Sequence, residues 1–442
     1  MTGNQCYGDS TRTRKRISIA HRKFAQTYRA SNMNEQAIKS VEAFLLSHRE
    51  EQTNFLAELV KVPSDNPPGD CAAHGERAAA LLEAMGLKVE RDVVPQAEVQ
   101  ANGMISATNL IVRHKFSDGP TIALNAHGDV VPPGLGWSVD PYGAVVKDGF
   151  MFGRGVAVSK SDFATYTYAL LALKASGAAL HGTVELHFTY DEEAGGMIGP
   201  ARILEKGLSK PDYALSAGFS YAVTTAHNGC LHLEVEVVGK SAHAARPDTG
   251  VDALEAATAL LSRLYEIRKT YADKKSNVEG IESPTLTVGL ISGGINTNVV
   301  PDLVTLRLDR RIIPEENAAE VEATLTQQIK AALATWPGIS CSVRRILLAT
   351  PFVPMPGQEK LVAAISKHAT RIMNEEVKTI GVPIYTDARL YSTAGVPTVL
   401  YGAGPHTLLE ANGHRADEKL KLDDLQKATR VVALALLELL GA

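Results

Sequence analysis

Apolar residues Ile38, Val41, Phe44, Leu45, Phe55, Leu56, Leu59 and Val60 recur at helical spacing and predict helix across residues 34–61. Ser64-Asp-Asn-Pro-Pro-Gly-Asp70 reads as a loop, and a second helix is expected over 72–85, stopped by Gly86. Shorter apolar runs predict strands at 87–93, 110–112 and 121–126, then a helix at about 163–175 and a strand at 184–190. Strands alternating with helices predict an α/β sheet built from βαβ units, with a substantial parallel part. At about residue 226 the texture changes. LHLEVEVV (231–238) alternates like a half-exposed strand, followed by a helix over 251–271, strands at 285–291 and 304–310, a helix over 318–333 and a strand at 339–347. That order is a small α+β, βαββαβ-like unit. Beyond Pro351 the α/β texture returns, with a helix over 358–374, a strand at 398–401 and a helix over 422–440. The expected organisation is one domain made of 34–225 and 351–442, with 226–350 inserted into it.

At 442 residues the chain is long for a single core, and 45% hydrophobic with 21% charged residues is an ordinary globular balance. A net charge of -4 supplies no basic field for nucleic acid or an anionic membrane, so neither is expected as a partner. The apolar run 431–440 is short and carries Glu438, so it is not expected to span a bilayer. Cys6, Cys71, Cys230 and Cys341 are scattered without paired spacing, which fits free thiols in a reducing, cytoplasmic setting. Residues 1–33 stand apart: Arg12, Arg14, Lys15, Arg16, Arg22, Lys23 and Arg29 face one acid, Asp9. They are expected to be a disordered extension or to precede a true start at Met33; the other reading is a transit peptide.

Three stretches carry chemistry. In TIALNAHGDVVP (121–132), an apolar run ends at His127 and Asp129, where a strand enters a loop. Side chains just past the carboxyl end of a strand line the crevice of an open α/β sheet. A nearby acid is what fixes the tautomer of a metal-ligating imidazole. In FTYDEEAGG (188–196), three adjacent acids leave another strand. Like charges crowded there read either as a solvated acidic turn or as a cation site, with one acid as ligand and a neighbour taking protons. In NGHRADE (412–418), His414 lies in a loop before the last helix.

These stretches occur in order with Trp137 and its Asp-Pro-Tyr, DGFMFGRG (148–155), GKSAHAARPDTGVDA (239–253), GGINTNVVPD (293–302) and TDAR (386–389). The pattern resembles the aminoacylase, carboxypeptidase G and succinyl-diaminopimelate desuccinylase family of metallohydrolases, over residues 40 to 442. The resemblance implies a zinc-peptidase-like catalytic domain with an inserted lid that dimerises. It implies His127 as a ligand of a first metal with Asp129 orienting it, Glu192 as general base, and Glu193 and His414 as ligands of a second metal. His243 would reach a neighbouring subunit's site and stabilise developing charge, while Asn298, Arg310 and Arg389 would hold a substrate carboxylate. The partners implied are a small-molecule substrate and a second copy of the chain, in a homodimer or higher homo-oligomer.

The sequence departs from that pattern twice. The family writes Gly-Arg-Gly-x-x-Asp-x-Lys, whose Asp bridges two metals, and here Val158 stands at the Asp position. An acid is also usual about six residues after the equivalent of Asp212, where this chain has Gly218. Without the bridge, the expectation is one loosely held divalent ion (Mn, Zn, Co or Fe) per subunit on His127, Glu193 and His414. Asp162 and Asp191 are reserve ligands, Asp162 reading better as a first-turn helix acid. The function expected is hydrolysis of a carbon–nitrogen bond in a small carboxylate-bearing substrate. GRGVAVSKSD, AGFS and AHNGCLHLEVEV look closest to a nitroanthranilate aminohydrolase branch, which implies conversion of 5-nitroanthranilate to 5-nitrosalicylate and ammonia in aromatic catabolism. An aminoacylase- or dipeptidase-type amidohydrolase is the alternative, and a metal-free relative that binds a carboxylate is the second.

Overall fold

The computed structural model describes residues 35–441. The basic stretch 1–33, with its expected disorder, lies outside them. The chain opens with α1 (35–47), α2 (Arg49–Val60), α3 (Ala72–Ala84), β1 (Val89–Val93), α4 (Gln96–Ala101), β2 (Thr108–Lys115) and β3 (Thr121–His127). The helix predicted over 34–61 is thus two, divided at His48, whose ring stacks on Phe44 at 3.9 Å. Next come β4 (Val145–Lys147), β5 (Phe150–Phe152), α5 (Lys160–Ala175), β6 (Thr183–Thr189), α6 (Pro200–Glu205), β7 (Tyr213–Ser216) and β8 (Ala222–His227).

The alternating segment follows as β9 (Gly229–Val238), α7 (Ala253–Thr270), β10 (Thr285–Gly293), β11 (Leu303–Ile312), α8 (Ala318–Leu333) and β12 (Ser340–Ala349). The chain closes with α9 (Glu359–Met373), β13 (Lys378–Val382), α10 (Ala388–Thr393), β14 (Thr398–Leu400), β15 (Lys419–Lys421) and α11 (Leu422–Leu440).

The large sheet has eight strands in the order β1–β2–β6–β3–β7–β14–β8–β13. Its centre, β6–β3–β7–β14, is parallel, while β1 and β2 run antiparallel at one edge. β3 is covered on both faces: Ile122, Leu124 and Ala126 belong to the main core with α5 and α11, whereas Ala123 packs against Ala214 and Tyr391. That is why the run reads as nearly continuous apolar sequence rather than alternation.

The second sheet has the order β10–β11–β9–β12, antiparallel throughout, with α7 and α8 on one face. Period-2 geometry divides its strands. Leu231, Leu233, Val235 and Val237 of β9, with Val304, Leu306 and Leu308 of β11, form a core under the helices. The intervening residues occupy the opposite face. The architecture is an α/β, zinc-peptidase-like domain with an α+β unit inserted between β8 and α9.

Candidate metal-dependent active site

β3 and β6 are parallel neighbours, with His127 in register with Thr189. His127 and the acids that follow β6 therefore emerge together at the carboxyl end of the sheet. Glu192 and Glu193 lie in a single 3-10 turn, Glu192–Ala194. Asp129 fixes this turn against β3. Its Oδ1 accepts the Glu192 N–H at 3.2 Å, and its Oδ2 accepts the Glu193 N–H at 3.1 Å and the Asn66 amide at 3.0 Å. The orientation of His127 comes chiefly from the backbone: Nδ1 lies 3.0 Å from the Asp129 carbonyl oxygen and 3.4 Å from carboxylate Oδ1. With Nδ1–H donating to that carbonyl, Nε2 faces Glu192 Oε2, 4.0 Å away.

A buried ion pair brings in the third stretch. Arg154 Nη1 meets Glu418 Oε2 at 2.6 Å, and Glu418 Oε1 accepts the Ala157 N–H at 3.0 Å. The loop around His414 is thereby tied to the Gly-Arg-Gly loop. His414 has φ 60°, a left-handed conformation uncommon for histidine, and its Nε2 lies 3.8 Å from Glu193 Oε1.

His127, Glu192, Glu193 and His414 line one cavity of about 260 Å³. Asp387, Arg311, Tyr385, Phe219 and Leu400 share its walls. Of the expected ligands, His414 pairs with Glu193, while His127 pairs with the expected base, Glu192; the three ligands do not form a tight trio. Among the described residues, the one set of three donors within 4.8 Å of one another lies elsewhere, at Cys230, His232 and Asp309.

The electrostatics suit a cation. Burial pushes the Glu192 carboxyl well above its ordinary range and Glu193 up to about 7. Burial likewise raises Asp387 to about 6. Burial disfavours the His127 imidazolium, yet Glu192, Asp129 and Glu193 outweigh it and hold its pKa well above the usual histidine value. Among the described residues, the ion pairs of Glu192 and Glu193 are to imidazoles alone. Two imidazoles and several acids with excess negative charge are a donor set that one divalent ion satisfies.

The two departures from the family pattern both stand in the cavity wall. Val158 lines it without a donor, and so does Gly218. A Cβ at Gly218 would lie 2.8 Å from Leu400 Cβ and 2.8 Å from the Tyr401 nitrogen, so β14 fills the space a side chain would need. The reserve acids are committed elsewhere. Asp162 Oδ1 accepts the Ala403 N–H at 2.7 Å, and Asp191 Oδ2 accepts the Ile198 N–H at 2.7 Å.

Besides Asp129, which holds the acidic turn from behind, four expected residues lie outside the cavity. Arg310 is corrected: it points to the helix-covered face of β11, paired with Glu316 Oε1 at 2.7 Å and stacked over Tyr271 at 4.3 Å. Its neighbour Arg311, on the opposite parity, faces the cavity. Arg389 is buried and donates to the Gly195 carbonyl, bracing the Gly-Gly turn after Glu193 without lining the cavity. His243 and Asn298 are exposed and adjacent on the inserted unit, joined through the Ala244 N–H and Asn298 carbonyl at 3.0 Å. Sequence reasoning missed Asp387 as a wall residue, although it sits two positions before Arg389 in the TDAR motif. Its approach requires Gly196, where a Cβ would collide with Asp387 Oδ1.

The profile of Peptidase family M20/M25/M40 matches residues 123–438. Succinyl-diaminopimelate desuccinylase of a Nitratiruptor species is 26% identical over 330 residues, covering 72% of this chain and 84% of that protein. Acetylornithine deacetylase of Proteus mirabilis is 27% identical over 329 residues, 74% of this chain and 80% of its own. Among solved structures, the di-peptidase Dug1p of Saccharomyces cerevisiae superposes with a TM-score of 0.74 at 15% identity, covering 91% of this chain and 98% of that one. The chain belongs to the M20/M25/M40 peptidase family and is a metal-dependent hydrolase of carbon–nitrogen bonds.

Proposed function

We propose that this enzyme hydrolyses an amide in a small carboxylate-bearing substrate, of the acyl-amino acid or dipeptide type, using one divalent transition-metal ion. The observation that carries this reading is the single cavity shared by His127, Glu192, Glu193 and His414. His127, Glu193 and His414 would hold the ion, which supplies polarisation of water and of the scissile carbonyl when bound. Glu192 is placed to take a proton from the attacking water on Oε2 and return it to the departing nitrogen. Asp129 keeps Glu192 and Glu193 in position. Arg311 offers a guanidinium to the substrate carboxylate. The relatives named desuccinylase and deacetylase support amide cleavage.

A second reading is hydrolytic deamination of an electron-poor aromatic amine such as 5-nitroanthranilate. Val158 and Gly218 favour it, because their positions leave few anionic ligands, and Phe219, Tyr385 and Leu400 give flat apolar walls suited to a ring.

A homodimer is part of the proposal. β10 is an edge strand with Leu290 60% and Ile291 54% exposed, and Ile295 beyond it is 77% exposed. An apolar edge of this kind calls for a covering partner. Such pairing is the route by which His243 would serve another subunit's cavity. No described helix is long and apolar enough to cross a membrane; a cytoplasmic location is the setting we propose.

The test is to supply Mn or Zn and measure amine release from N-succinyl and N-acetyl amino acids and dipeptides, and ammonia release from 5-nitroanthranilate. Metal-dependent amide cleavage that Glu192→Gln abolishes, with bound metal unchanged, supports the first reading. Ammonia from the anthranilate alone selects the second. Failure to bind any divalent ion removes both.

A further inference from the structure

A second cluster of metal-type donors lies on the inserted unit, outside the residues just assigned. Strand periodicity places Cys230 and His232 of β9 on the same face, and the antiparallel register sets Asp309 of β11 opposite His232 and Arg311 opposite Cys230. This is the face away from α7 and α8. His232 Nε2 lies 3.2 Å from Cys230 Sγ and 3.0 Å from Asp309 Oδ2, and Sγ lies 3.7 Å from the same Oδ2.

A thiolate, an imidazole and a carboxylate around one zinc ion, with bonds of ~2.0–2.3 Å, are separated by roughly 3.3–3.6 Å. The three distances here bracket that range. As a purely hydrogen-bonded set the trio is loosely held, since Oδ2 faces Nε2–H at 3.0 Å but the thiol only at 3.7 Å. Arg311 holds Asp309 from another side, with Nε on Oδ1 at 3.0 Å and Nη2 on Oδ2 at 3.1 Å. An acceptor oxygen has two lone pairs, so Oδ2 can keep a contact with Arg311 and still face the cluster.

We propose that Cys230, His232 and Asp309 form a second metal site, taking a borderline-soft divalent ion such as Zn²⁺ or Co²⁺, with water completing the coordination. Cys230 is fully buried while His232 and Asp309 are partly exposed, so the ion enters from their side. On binding, the Cys230 S–H bond breaks and its proton leaves to solvent, His232 gives up its Nε2 proton and takes one on Nδ1 by exchange with water, and the sulfur and Nε2 lone pairs form the bonds to the metal. Because Arg311 spans from Asp309 to the wall of the catalytic cavity, occupancy weakens its hold on Asp309 and alters the charge presented there.

The ligand set itself provides the test. The catalytic donors are nitrogen and oxygen only, so a thiolate-to-cobalt charge-transfer band in the near ultraviolet reports the second site alone. Titrating the full-length protein with Co²⁺ is expected to raise this band, with Zn²⁺ bleaching it. His414→Ala should retain the band, Cys230→Ala should abolish it, and Asp309→Asn should weaken Co²⁺ binding at this site tenfold or more. Thermal unfolding of each variant controls for folding, and Asp309→Asn, partly exposed, covers the case in which Cys230→Ala does not fold. No band in the wild-type protein, or a band that persists in folded Cys230→Ala, overturns the proposal.

Discussion

The Asp129 carboxylate accepts the backbone N–H of Glu193 at 3.1 Å, joining the end of β3 to the turn after β6. With the companion bond to the Glu192 N–H, one side chain sets the spacing between His127 and both catalytic-turn acids. Asp129→Asn keeps one good acceptor and places an amide N–H against backbone donors. Divalent-ion affinity is expected to fall about 10–100-fold. Competition with a metal-sensitive chelator measures it, and an affinity equal to wild type refutes the role assigned to the carboxylate.

Glu192→Gln removes the proton acceptor but preserves the shape of the turn. We expect kcat to drop by about 10²–10⁴ while metal content stays unchanged. His414→Ala should instead reduce bound metal. If both variants lose metal equally, Glu192 is a ligand and the base must be sought elsewhere.

Arg310 and Arg311 differ by one position and by one face of β11. Arg310→Ala removes a buried guanidinium and its stacking on Tyr271 and leaves Glu316 with Lys274 at 3.3 Å, and a stability loss of about 1.5–3 kcal/mol is expected, with KM little changed. Arg311→Ala should lower kcat/KM by roughly 10–100-fold for carboxylate substrates, the cost of a charge-assisted hydrogen bond. Denaturant unfolding and steady-state kinetics, run on both variants, separate the two roles.

Burial raises the Asp162 carboxyl to about 7. Between the unfolded value near 4 and this folded value, the native protein binds a proton that the unfolded chain does not. The contribution of Asp162 to stability therefore declines as pH rises through that window and is least favourable above 7. Asp162→Asn, whose carbonyl can still accept the Ala403 N–H, should flatten the decline and stabilise the protein at pH 8, by at most about 4 kcal/mol. Unfolding curves at pH 5 and pH 8 check the sign.

Much of the fold was legible because its elements carry strong periodicity. The 3.6-residue pattern of α11 and the alternation in β9 leave little room for another reading. β8 was missed because AVTTAH is fully buried without looking apolar; its environment, not its composition, makes it a strand. α10 has only six residues, too few for a period to show. In the site, His127 and the acids 191–193 were visible as polar residues at strand exits. Arg310 came with the resemblance alone, whereas the alternation of Val304, Leu306 and Leu308 already sets it on the helix-covered face of β11. Asp387 was carried by the TDAR motif, but its place in the wall arises from Gly196, far earlier in the chain, allowing close approach.

The contact between Gly218 and β14 sets the order in which a second anionic ligand could be engineered. An acid at position 218 has no room, because Leu400 Cβ and the Tyr401 nitrogen would each lie 2.8 Å from its Cβ. Replacing Val158 by an acid is a local edit, whereas an acid at 218 demands that Leu400 and Tyr401 withdraw first. A redesign towards two ions therefore begins with the residues of the neighbouring strand.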